Sequence, residues 1–300
     1  MSFAPLDAAE PATAAELATA AESADIADPL DAARLAAALT GWDVTVVAQC
    51  PSTNAALARQ AGTGLRCNPP AALVAEHQTA GQGRAGRTWE TPPGAAITAS
   101  ALLAPDVPPL ALGWVSLLAG IASCRALAQV SGVDARLKWP NDVLLPADTP
   151  VEGLGHWRKL CGILAQVVPG VGVVVGIGVN VSQTADQLPV PTATSLALAD
   201  ASSLNRTDIL IALLTELQAV IGQWESSGAP DSLLDDYAAL CSTIGQEVRV
   251  DLAADGGSLT GRARGIGDDG ALIVASDDGA GRTALHYVAA GDVHHLRLAQ

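Results

Sequence analysis

The stretch GQGRAGRTWETPP, which runs from Gly81 to Pro93, decides the fold class of this chain. It begins with the pattern G-x-G-x-x-G, which in a Rossmann unit opens the helix that binds a dinucleotide phosphate. Asp106 even lies where such a unit carries its ribose-binding acid. A Rossmann unit, however, needs a helix between these glycines and the next strand, and only Thr88 to Pro93 lies there. We therefore exclude a nicotinamide site. The sequence also lacks the G-x-x-x-x-G-K-[ST] motif of a P-loop kinase, so this class of enzyme is disfavoured as well.

The first part of this stretch, Gly81 to Arg87, is better suited to an anion-binding flap. Its glycines let the backbone approach a ligand closely and present N–H groups to it. Arg84 and Arg87 add bidentate donors for phosphate. We expect the flap to be mobile when empty and ordered when filled, and a surface loop without a ligand remains the alternative.

The segments around the flap predict a sheet with helices. Runs rich in valine and other apolar residues favour strands, and longer runs with 3.6-residue periodicity favour helices. The expected strands are Val44–Val47, Ala71–Glu76, Ala95–Leu103, Arg136–Trp139, Val143–Leu145, Lys159–Val168 and Val171–Val181. The expected helices are Leu30–Leu39, a segment from Ser52 to about Ala61, Leu110–Val130, Thr207–Ser226 and Asp231–Leu240.

One segment, Leu160 to Ala185, carries no charged side chain and is long enough to span a bilayer. Pro169-Gly170 interrupts it, and the valines that follow favour strands. Two buried strands joined by a tight turn explain the segment better than a membrane helix, so we expect no membrane association.

The sequence pattern changes at about Thr243, where short segments of alternating apolar and polar residues begin. Asp-Gly turns separate them, at Asp255-Gly256-Gly257, Asp269-Gly270 and Asp278-Gly279. This spacing is typical of a small antiparallel barrel. We predict a disordered acidic and Ala-rich leader at residues 1–28, a catalytic domain at 29–242 and a barrel at 243–300.

Composition excludes several classes of function. The formal charge is −15 with no basic run, so binding to nucleic acid, which depends on phosphate neutralisation, is not expected. The five cysteines lie far apart and form no C-x-x-C pair, which indicates reduced thiols in the cytoplasm rather than a zinc site or a disulfide framework. No signal peptide is evident. The adjacent pair His294-His295 lies on a predicted strand, so its two rings should face opposite ways, and we interpret it as structural.

The positions of the lysines and of three asparagines suggest chemical roles. The chain uses arginine for fourteen of its sixteen basic residues, so Lys138 and Lys159 stand against a clear bias. A retained lysine suggests a need for a compact ammonium group, although chance at a solvated face is the alternative. Asn54, Asn141 and Asn180 each follow an apolar segment, where they either converge on a pocket or serve turns.

In combination, these motifs resemble the biotin–protein ligase family from about Val44 to Arg297. Each motif is short, but their shared order and spacing are specific. They are Ser52-Thr53-Asn54, Ala75 to Gly81 through Arg87-Thr88-Trp89, Lys138-Trp139-Pro140-Asn141-Asp142, Lys159 to Leu164, and Gly176 to Val181. The resemblance implies an α/β fold, a class II aminoacyl-tRNA synthetase-like mixed sheet with helices, plus a small C-terminal SH3-like barrel. Some members add an N-terminal DNA-binding domain, whereas this chain resembles the ligase-only type.

The resemblance also implies a role for each motif residue. The biotin site would comprise Ser52, Thr53, Asn54, Gln78, Gly81, Gln82, Gly83, Arg84 and Lys159. The nucleotide site would comprise Arg84, Arg87, Trp89, Lys138, Asn141, Asp142 and Asn180. Lys159, Arg84 and Lys138 would be the catalytic residues. Gln82 and Ala85 stand where the family loop G-R-G-R-R-G-R has arginines, so this flap carries two fewer charges.

The implied activity is ATP-dependent biotin–protein ligation in two steps. Biotin and ATP form biotinyl-5′-AMP, with Mg²⁺ on the triphosphate and no metal site built from protein groups alone. A lysine of a biotin carboxyl carrier domain, from an acyl-CoA or pyruvate carboxylase, then takes the biotin. No enzyme nucleophile is needed, and the oligomeric state, monomer or homodimer, stays open.

Three alternatives remain at this point. A lipoate–protein ligase shares the fold and the reaction, and a substrate competition assay separates it. A DNA-binding repressor is disfavoured by the charge and by the short N-terminal segment. A non-catalytic biotin-binding protein would bind biotin without releasing pyrophosphate.

Overall fold

The computed structural model describes residues 26, 28–63, 68–227, 231–252, 257–277 and 282–296. Of the predicted leader, all but Ile26 and Asp28 lies outside the described residues. The same is true of Asp255 and Gly256 and of the turn at Asp278-Gly279.

Twelve strands and five α-helices make up the described part of the chain. The helices are α1 Ala32–Ala38, α2 Thr53–Gly62, α3 Trp114–Ser131, α4 Arg206–Ser227 and α5 Asp231–Leu240. The strands of the first part are β1 Asp43–Cys50, β2 Ala71–Gln78, β3 Ala96–Leu103, β4 Arg136–Lys138, β5 Asp142–Val151, β6 Gly155–Val168 and β7 Gly172–Asn180. Those of the last part are β8 Glu247–Leu252, β9 Ser258–Ile266, β10 Leu272–Asp277, β11 Thr283–Val288 and β12 Gly291–His295.

The first seven strands form one mixed sheet in the order β1-β2-β3-β7-β6-β5-β4. Strands β1 and β2 run parallel, and the remaining pairs are antiparallel. Helices α3 and α4 pack against each other and belong to the large apolar core, whereas α2 forms a smaller cluster with β2, β3 and β7. The sheet thus has a helix-covered face and a face that α2 covers only in part. This architecture confirms the predicted fold class.

Helix α3 is a core helix despite its composition. By length and hydropathy alone, Pro109–Ser131 is apolar enough to cross a membrane, but 67% of its apolar window is buried inside the protein. Thirteen of the eighteen residues of α3 are apolar or glycine, so most of the helix surface can pack. The segment suspected from the sequence, Leu160 to Ala185, forms the paired strands β6 and β7 instead.

The five C-terminal strands form an antiparallel sheet in the order β11-β10-β9-β8-β12. Two tryptophans from the part of the chain that forms the mixed sheet hold it in place. Trp114 Nε1 donates to Asp268 O at 2.7 Å, and Trp139 Nε1 donates to Gly270 O at 3.0 Å. Buried indoles usually need such a partner, so these bonds fix the barrel against α3 and β4.

Strands β5 and β6 form a longer hairpin than the sequence predicted. The sequence indicated a strand only at Val143–Leu145 and a second one from Lys159, but pairing continues to Val151 opposite Gly155. The outer part of β5 is polar and proline-containing and is mostly exposed, so it lacks the apolar alternation on which strand prediction depends. Packing against the barrel supports this hairpin tip, as described below.

A buried ion pair ties the beginning of the described chain to the sheet. Arg206 Nη1 lies 2.6 Å from Glu76 Oε2, and the two side chains are only 3% and 7% exposed. Glu76 Oε1 also accepts from Leu30 N at 2.6 Å, and Arg206 donates to the carbonyl oxygens of Asp28 and Ala96. One guanidinium therefore joins the N-terminal segment, β2 and β3.

The four described cysteines are all buried and free, in agreement with the reduced thiols expected from their spacing. Burial raises the pKa of Cys124 to about 12 and that of Cys50 to about 11, so neither is a ready nucleophile. Cys67 lies outside the described residues.

Candidate functional site

One cavity of about 740 Å³ opens on the face of the mixed sheet that α2 covers only in part. We call it the cleft. The flap, the ends of β4 and β5, the hairpin tip at Glu152 to Leu154 and the barrel strand β12 complete its walls. The cleft brings together nearly all the site residues that the sequence predicted: Ser52, Thr53, Asn54, Gln78, Gln82, Gly83, Arg84, Arg87, Trp89, Lys138, Asn141, Asp142, Lys159 and Asn180.

Gly81 is the exception, because it is buried behind the wall rather than on it. A Cβ at this position would lie 2.3 Å from Trp89 O and 2.9 Å from Gln78 Nε2. Trp89 N donates back to Gly81 O at 2.9 Å. Gly81 therefore allows the two ends of the flap to meet, and its contribution is to backbone packing.

A polar cluster at the start of α2 forms one end of the cleft. Ser52 caps the helix, although its bond to Ala55 N is long at 3.4 Å. Thr53 donates to Gln78 Oε1 from both its backbone N, at 2.7 Å, and its Oγ1, at 3.0 Å. Ser100 Oγ donates to Thr53 Oγ1 at 2.7 Å. The cluster is thus pre-organised, with hydroxyl and amide groups facing a small ligand.

Asn54 adds an unused acceptor to this end. Its Nδ2 donates to Leu164 O at 3.0 Å, while its Oδ1 is buried and has no partner within the described structure. A Cβ at Gly176 would lie 2.7 Å from that oxygen, so only glycine leaves room for it. A buried acceptor without a partner costs free energy, which a ligand N–H would recover.

Trp89 lies flat on a pair of glycines in the middle of the cleft. Gly162 of β6 and Gly178 of β7 are directly paired, and a Cβ on either would come within 3.0 Å or less of the indole. The indole Nε1 is buried and has no hydrogen-bond partner among the residues that the structure describes. Lys159 Nζ lies 5.8 Å from the centroid of the ring, within cation–π range.

The charged end of the cleft is built around Asp142. Lys159 Nζ lies 2.6 Å from Asp142 Oδ1, and Lys138 Nζ lies 3.8 Å from Asp142 Oδ2. Burial by itself would raise the pKa of Asp142, but the two ammonium groups outweigh it and hold this pKa below its usual value. Burial lowers the pKa of Lys138, and Asp142 partly opposes that effect. The only two lysines of the chain therefore meet at one carboxylate.

The flap folds over this end as a tight turn. Gly83 N donates to Arg87 O at 2.7 Å, and Ala85 takes up a left-handed conformation with φ of 53°. Arg84 Nη1 donates to Asn141 Oδ1 at 3.2 Å. Arg87 Nη2 lies 2.9 Å from Asp292 Oδ1 of the barrel. The barrel thus reaches the flap directly.

The side chain of Asn180 is hydrogen-bonded to two neighbours but keeps unused hydrogen-bonding groups. Its Nδ2 donates to Thr194 O at 2.9 Å, and its Oδ1 accepts from Gln183 Nε2 at 2.9 Å. An amide offers two donors and two acceptor lone pairs, so one of each remains for a ligand in the cleft.

Several residues of the cleft were missed by the sequence reasoning. Ser100 had a usable signal, since it and Thr98 alternate as polar residues in an otherwise apolar strand that faces the cleft. Asp292 and His294 had none, because they reach the cleft only through the docking of the barrel. Within the described ranges, no group of three or more His, Cys, Asp or Glu side chains is arranged to hold a metal ion.

Comparison with known families identifies both parts of the chain. A model of the "Biotin/lipoate A/B protein ligase family" matches residues 48–182, and one of the "Biotin protein ligase C terminal domain" matches residues 243–296. These matches include the flap, the two lysines and the barrel.

Individual proteins give the same result. The chain is 42% identical over 269 residues to the biotin–[acetyl-CoA-carboxylase] ligase of Mycobacterium tuberculosis, covering 88% of this chain and 93% of that protein. It is 30% identical over 254 residues to the bifunctional ligase/repressor BirA of Escherichia coli, covering 83% and 74%. The biotin protein ligase of Aquifex aeolicus, solved with biotin and ATP, matches the fold with a TM-score of 0.66 and 23% identity, covering 85% of this chain and 99% of that one.

Proposed function

The chain belongs to the biotin/lipoate A/B protein ligase family, and we propose that the cleft is where it joins biotin to a carrier protein. The reaction is ATP-dependent ligation, with biotin and ATP as substrates and a biotin carboxyl carrier protein as the partner. The observation that carries the placement is the meeting of three features in one cavity: the polar cluster at Thr53, the paired lysines and the arginine flap.

Biotin lies with its ureido ring at the polar cluster. The ring offers two N–H donors and one carbonyl acceptor, which match the free acceptor of Asn54 and the hydroxyl and amide groups of Ser52, Thr53 and Gln78. A lipoyl dithiolane offers no N–H group and would leave the buried Oδ1 of Asn54 unpaired. This difference favours biotin over lipoate.

Lys159 holds the carboxylate and then the acyl phosphate. Its ammonium group is paired with Asp142, so it is already in position to bind the carboxylate of biotin. Biotin's carboxylate oxygen attacks the α-phosphorus of ATP, and pyrophosphate leaves. Lys138, Arg84 and Arg87 stabilise the charge on the phosphates, and no enzyme nucleophile is formed.

The triphosphate would bring Mg²⁺ with it as part of the substrate. Asp142 is already shared between two ammonium groups, which makes it a poor direct ligand, and the fit therefore favours phosphate oxygens and water around the ion. The metal would supply charge neutralisation on the leaving pyrophosphate. The protein's own share is the alignment of the carboxylate with the α-phosphate.

In the second step a carrier lysine attacks the mixed anhydride, the new amide forms and AMP leaves. We propose that the carrier domain belongs to an acyl-CoA or pyruvate carboxylase and that the enzyme works in the cytoplasm as a monomer or homodimer. We also propose that residues 29–242 catalyse the reaction and that the barrel, at 243–300, completes the cleft.

A reconstituted reaction tests this function. The full chain is mixed with biotin, ATP, Mg²⁺ and a purified carrier domain, and pyrophosphate release and the mass of the carrier are followed. We expect both signals with biotin and neither when lipoate replaces it. Biotin binding without pyrophosphate would indicate a non-catalytic binding protein, and activity with lipoate alone would overturn the substrate.

Replacing Arg84 by alanine should increase leakage of the adenylate. Arg84 is partly desolvated by burial, which lowers its pKa, and its charge can form charge-assisted hydrogen bonds to phosphate. Loss of one such bond should raise the dissociation rate of biotinyl-5′-AMP about tenfold to a hundredfold. The measurement is the fraction of adenylate found free in solution when no carrier is present. Arg136→Ala, on β4 and outside the cleft, is the control, and equal leakage from both variants would remove the flap from the mechanism.

Replacing Gly178 by alanine should impair the nucleotide site through Trp89. The new Cβ would lie 2.6 Å from the indole, so the ring must leave the glycine pair. Overpacking of this kind costs about 1–3 kcal/mol, and we expect the KM for ATP to rise about tenfold. Gly222→Ala on α4, where nothing lies within 4 Å, is the matched control and should leave this KM unchanged. A normal KM for ATP in the folded Gly178 variant would contradict the placement of Trp89.

A further inference from the structure

The seam between the mixed sheet and the barrel passes directly behind the charged end of the cleft. Thr243, the first barrel residue, is fully buried at 0% exposure. Its Oγ1 accepts from Trp139 N at 3.2 Å and lies 3.2 Å from His295 Nε2. The hydroxyl has one hydrogen and two lone pairs, so its oxygen can accept from Trp139 N and bond the imidazole of His295 at the same time.

The same histidine reaches a second wall of the cleft through its backbone. His295 N donates to Gly153 O at 3.1 Å, at the tip of the β5–β6 hairpin. Gly153 and its neighbours Glu152 and Leu154 line the cleft. His295 thus contacts two walls of the cleft. Its backbone N–H holds the hairpin tip, and its ring reaches Trp139 through Thr243.

Trp139 is next to Lys138 in the chain, and this places the hydrogen bond close to the phosphate-binding machinery. Lys138 is only 8% exposed and carries one of the two ammonium groups at Asp142. Leu137, on the other side, is fixed in the same way, because its carbonyl oxygen accepts from Ser242 N at 2.7 Å and from Ser242 Oγ at 2.8 Å. The junction with the barrel, at Ser242 and Thr243, therefore holds the chain on both sides of Lys138.

Electrostatics support the neutral form of the ring. Burial lowers the pKa of His295 to about 4, and the charges of Lys138 and His294 act in the same direction. A neutral imidazole can pair with the Thr243 hydroxyl without placing a second buried charge behind Lys138.

We propose that Thr243 and His295 are positioning residues through which the barrel aligns Lys138 and the hairpin tip with the triphosphate of ATP. This inference rests on the proposed function, because it assigns the charged end of the cleft to the nucleotide. Neither residue touches the substrates in this arrangement, and the polar cluster that receives biotin lies at the other end of the cleft.

The test variant is Thr243→Val, which keeps the shape of the side chain but leaves Trp139 N and His295 Nε2 without a partner. We expect the KM for ATP to rise about tenfold or more, because a misplaced Lys138 weakens a charge-assisted contact. The dissociation constant for biotin alone, measured by calorimetry, should change less than about twofold. Thr243→Ser restores the hydroxyl and should restore the KM for ATP.

The barrel offers a matched control in Ser276, whose Oγ lies 2.9 Å from His286 Nε2. This is the same kind of hydroxyl–imidazole pair, on β10 and β11, and neither residue lines the cleft. Ser276→Ala should cost the barrel a similar bond and leave the KM for ATP unchanged. Thermal unfolding is measured for every variant.

The outcomes separate the two proposals. If the wild-type chain releases pyrophosphate with biotin but Thr243→Val keeps a normal KM for ATP, the positioning role is wrong and the function stands. If Thr243→Val weakens biotin and ATP equally, or behaves as Ser276→Ala does, the pair is merely structural. If Thr243→Val fails to fold, His295→Asn together with Thr243→Ser gives the same comparison of ATP with biotin. Absence of pyrophosphate release by the wild type would overturn the function itself.

Discussion

Replacing Lys159 by methionine is expected to slow adenylate formation by about a hundredfold to a thousandfold while the protein stays folded. Methionine keeps most of the aliphatic stem and removes only the ammonium group. That group is the one placed between Asp142, at 2.6 Å, and the indole of Trp89. The rate is measured as biotin-dependent exchange of pyrophosphate into ATP.

The Lys159 variant needs two controls, because it also leaves Asp142 with a weaker partner. Arg158→Ala, the adjacent position on β6, removes a charge whose bonds go to Thr149 and Trp157 rather than into the cleft. It should keep near-normal exchange. A double variant with Asp142→Asn removes the unpaired carboxylate, and if it recovers the rate, the loss came from that carboxylate and not from the missing ammonium group. Near-normal exchange in Lys159→Met alone would refute the role of Lys159.

The second large effect is on stability and concerns the buried pair Arg206–Glu76. Arg206→Met should lower the free energy of unfolding by about 3–5 kcal/mol, because Glu76 would lose its charge partner in a site that is 7% exposed. The carbonyl oxygens of Asp28 and Ala96 would lose their donor as well. Urea unfolding at neutral pH gives the measurement.

Two further variants test the cause of that loss. Arg34→Ala breaks the ion pair with Asp208, whose side chains are 49% and 39% exposed, and should cost no more than about 1 kcal/mol. Glu76→Gln combined with Arg206→Met removes the uncompensated charge and should recover part of the stability. If Arg206→Met costs no more than Arg34→Ala does, the buried pair is not what anchors the N-terminal segment.

These predictions distinguish two levels of organisation in the cleft. Lys159 and Arg84 act on the substrates themselves, whereas Thr243 and His295 act through the backbone of the strand that carries Lys138. The barrel reaches the cleft at two places, through Asp292 at the flap and through His295 at the hairpin tip. A catalytic part deprived of the barrel would therefore lose contacts at the nucleotide end first.

Much of the fold could be predicted from local sequence. The short proline-closed interval after the flap excluded a Rossmann unit, and the valine-rich run around Pro169-Gly170 predicted the hairpin β6–β7. The periodicity after Thr207 predicted α4 to within one residue at each end. These features are local because backbone propensity and apolar periodicity depend on residues close together in the chain.

The members of the cleft could also be named from their motifs, since Lys138, Lys159 and the three asparagines stand out by rarity and position. Their partners could not be named. Arg87 meets Asp292 across 205 positions, Ser100 meets Thr53 across 47, and Thr243 meets His295 across 52. The outer half of β5 is polar, so its pairing depends on β6 and on the barrel.

The sequence alone therefore determined which backbone elements form and which side chains carry the chemistry. Only the tertiary structure decided what holds those side chains in place: the glycine pair beneath Trp89, the carboxylate shared by two lysines and the barrel contacts behind Lys138. The physical reason is that such contacts join segments far apart in the chain, so they exist only once the core has packed and the barrel has docked.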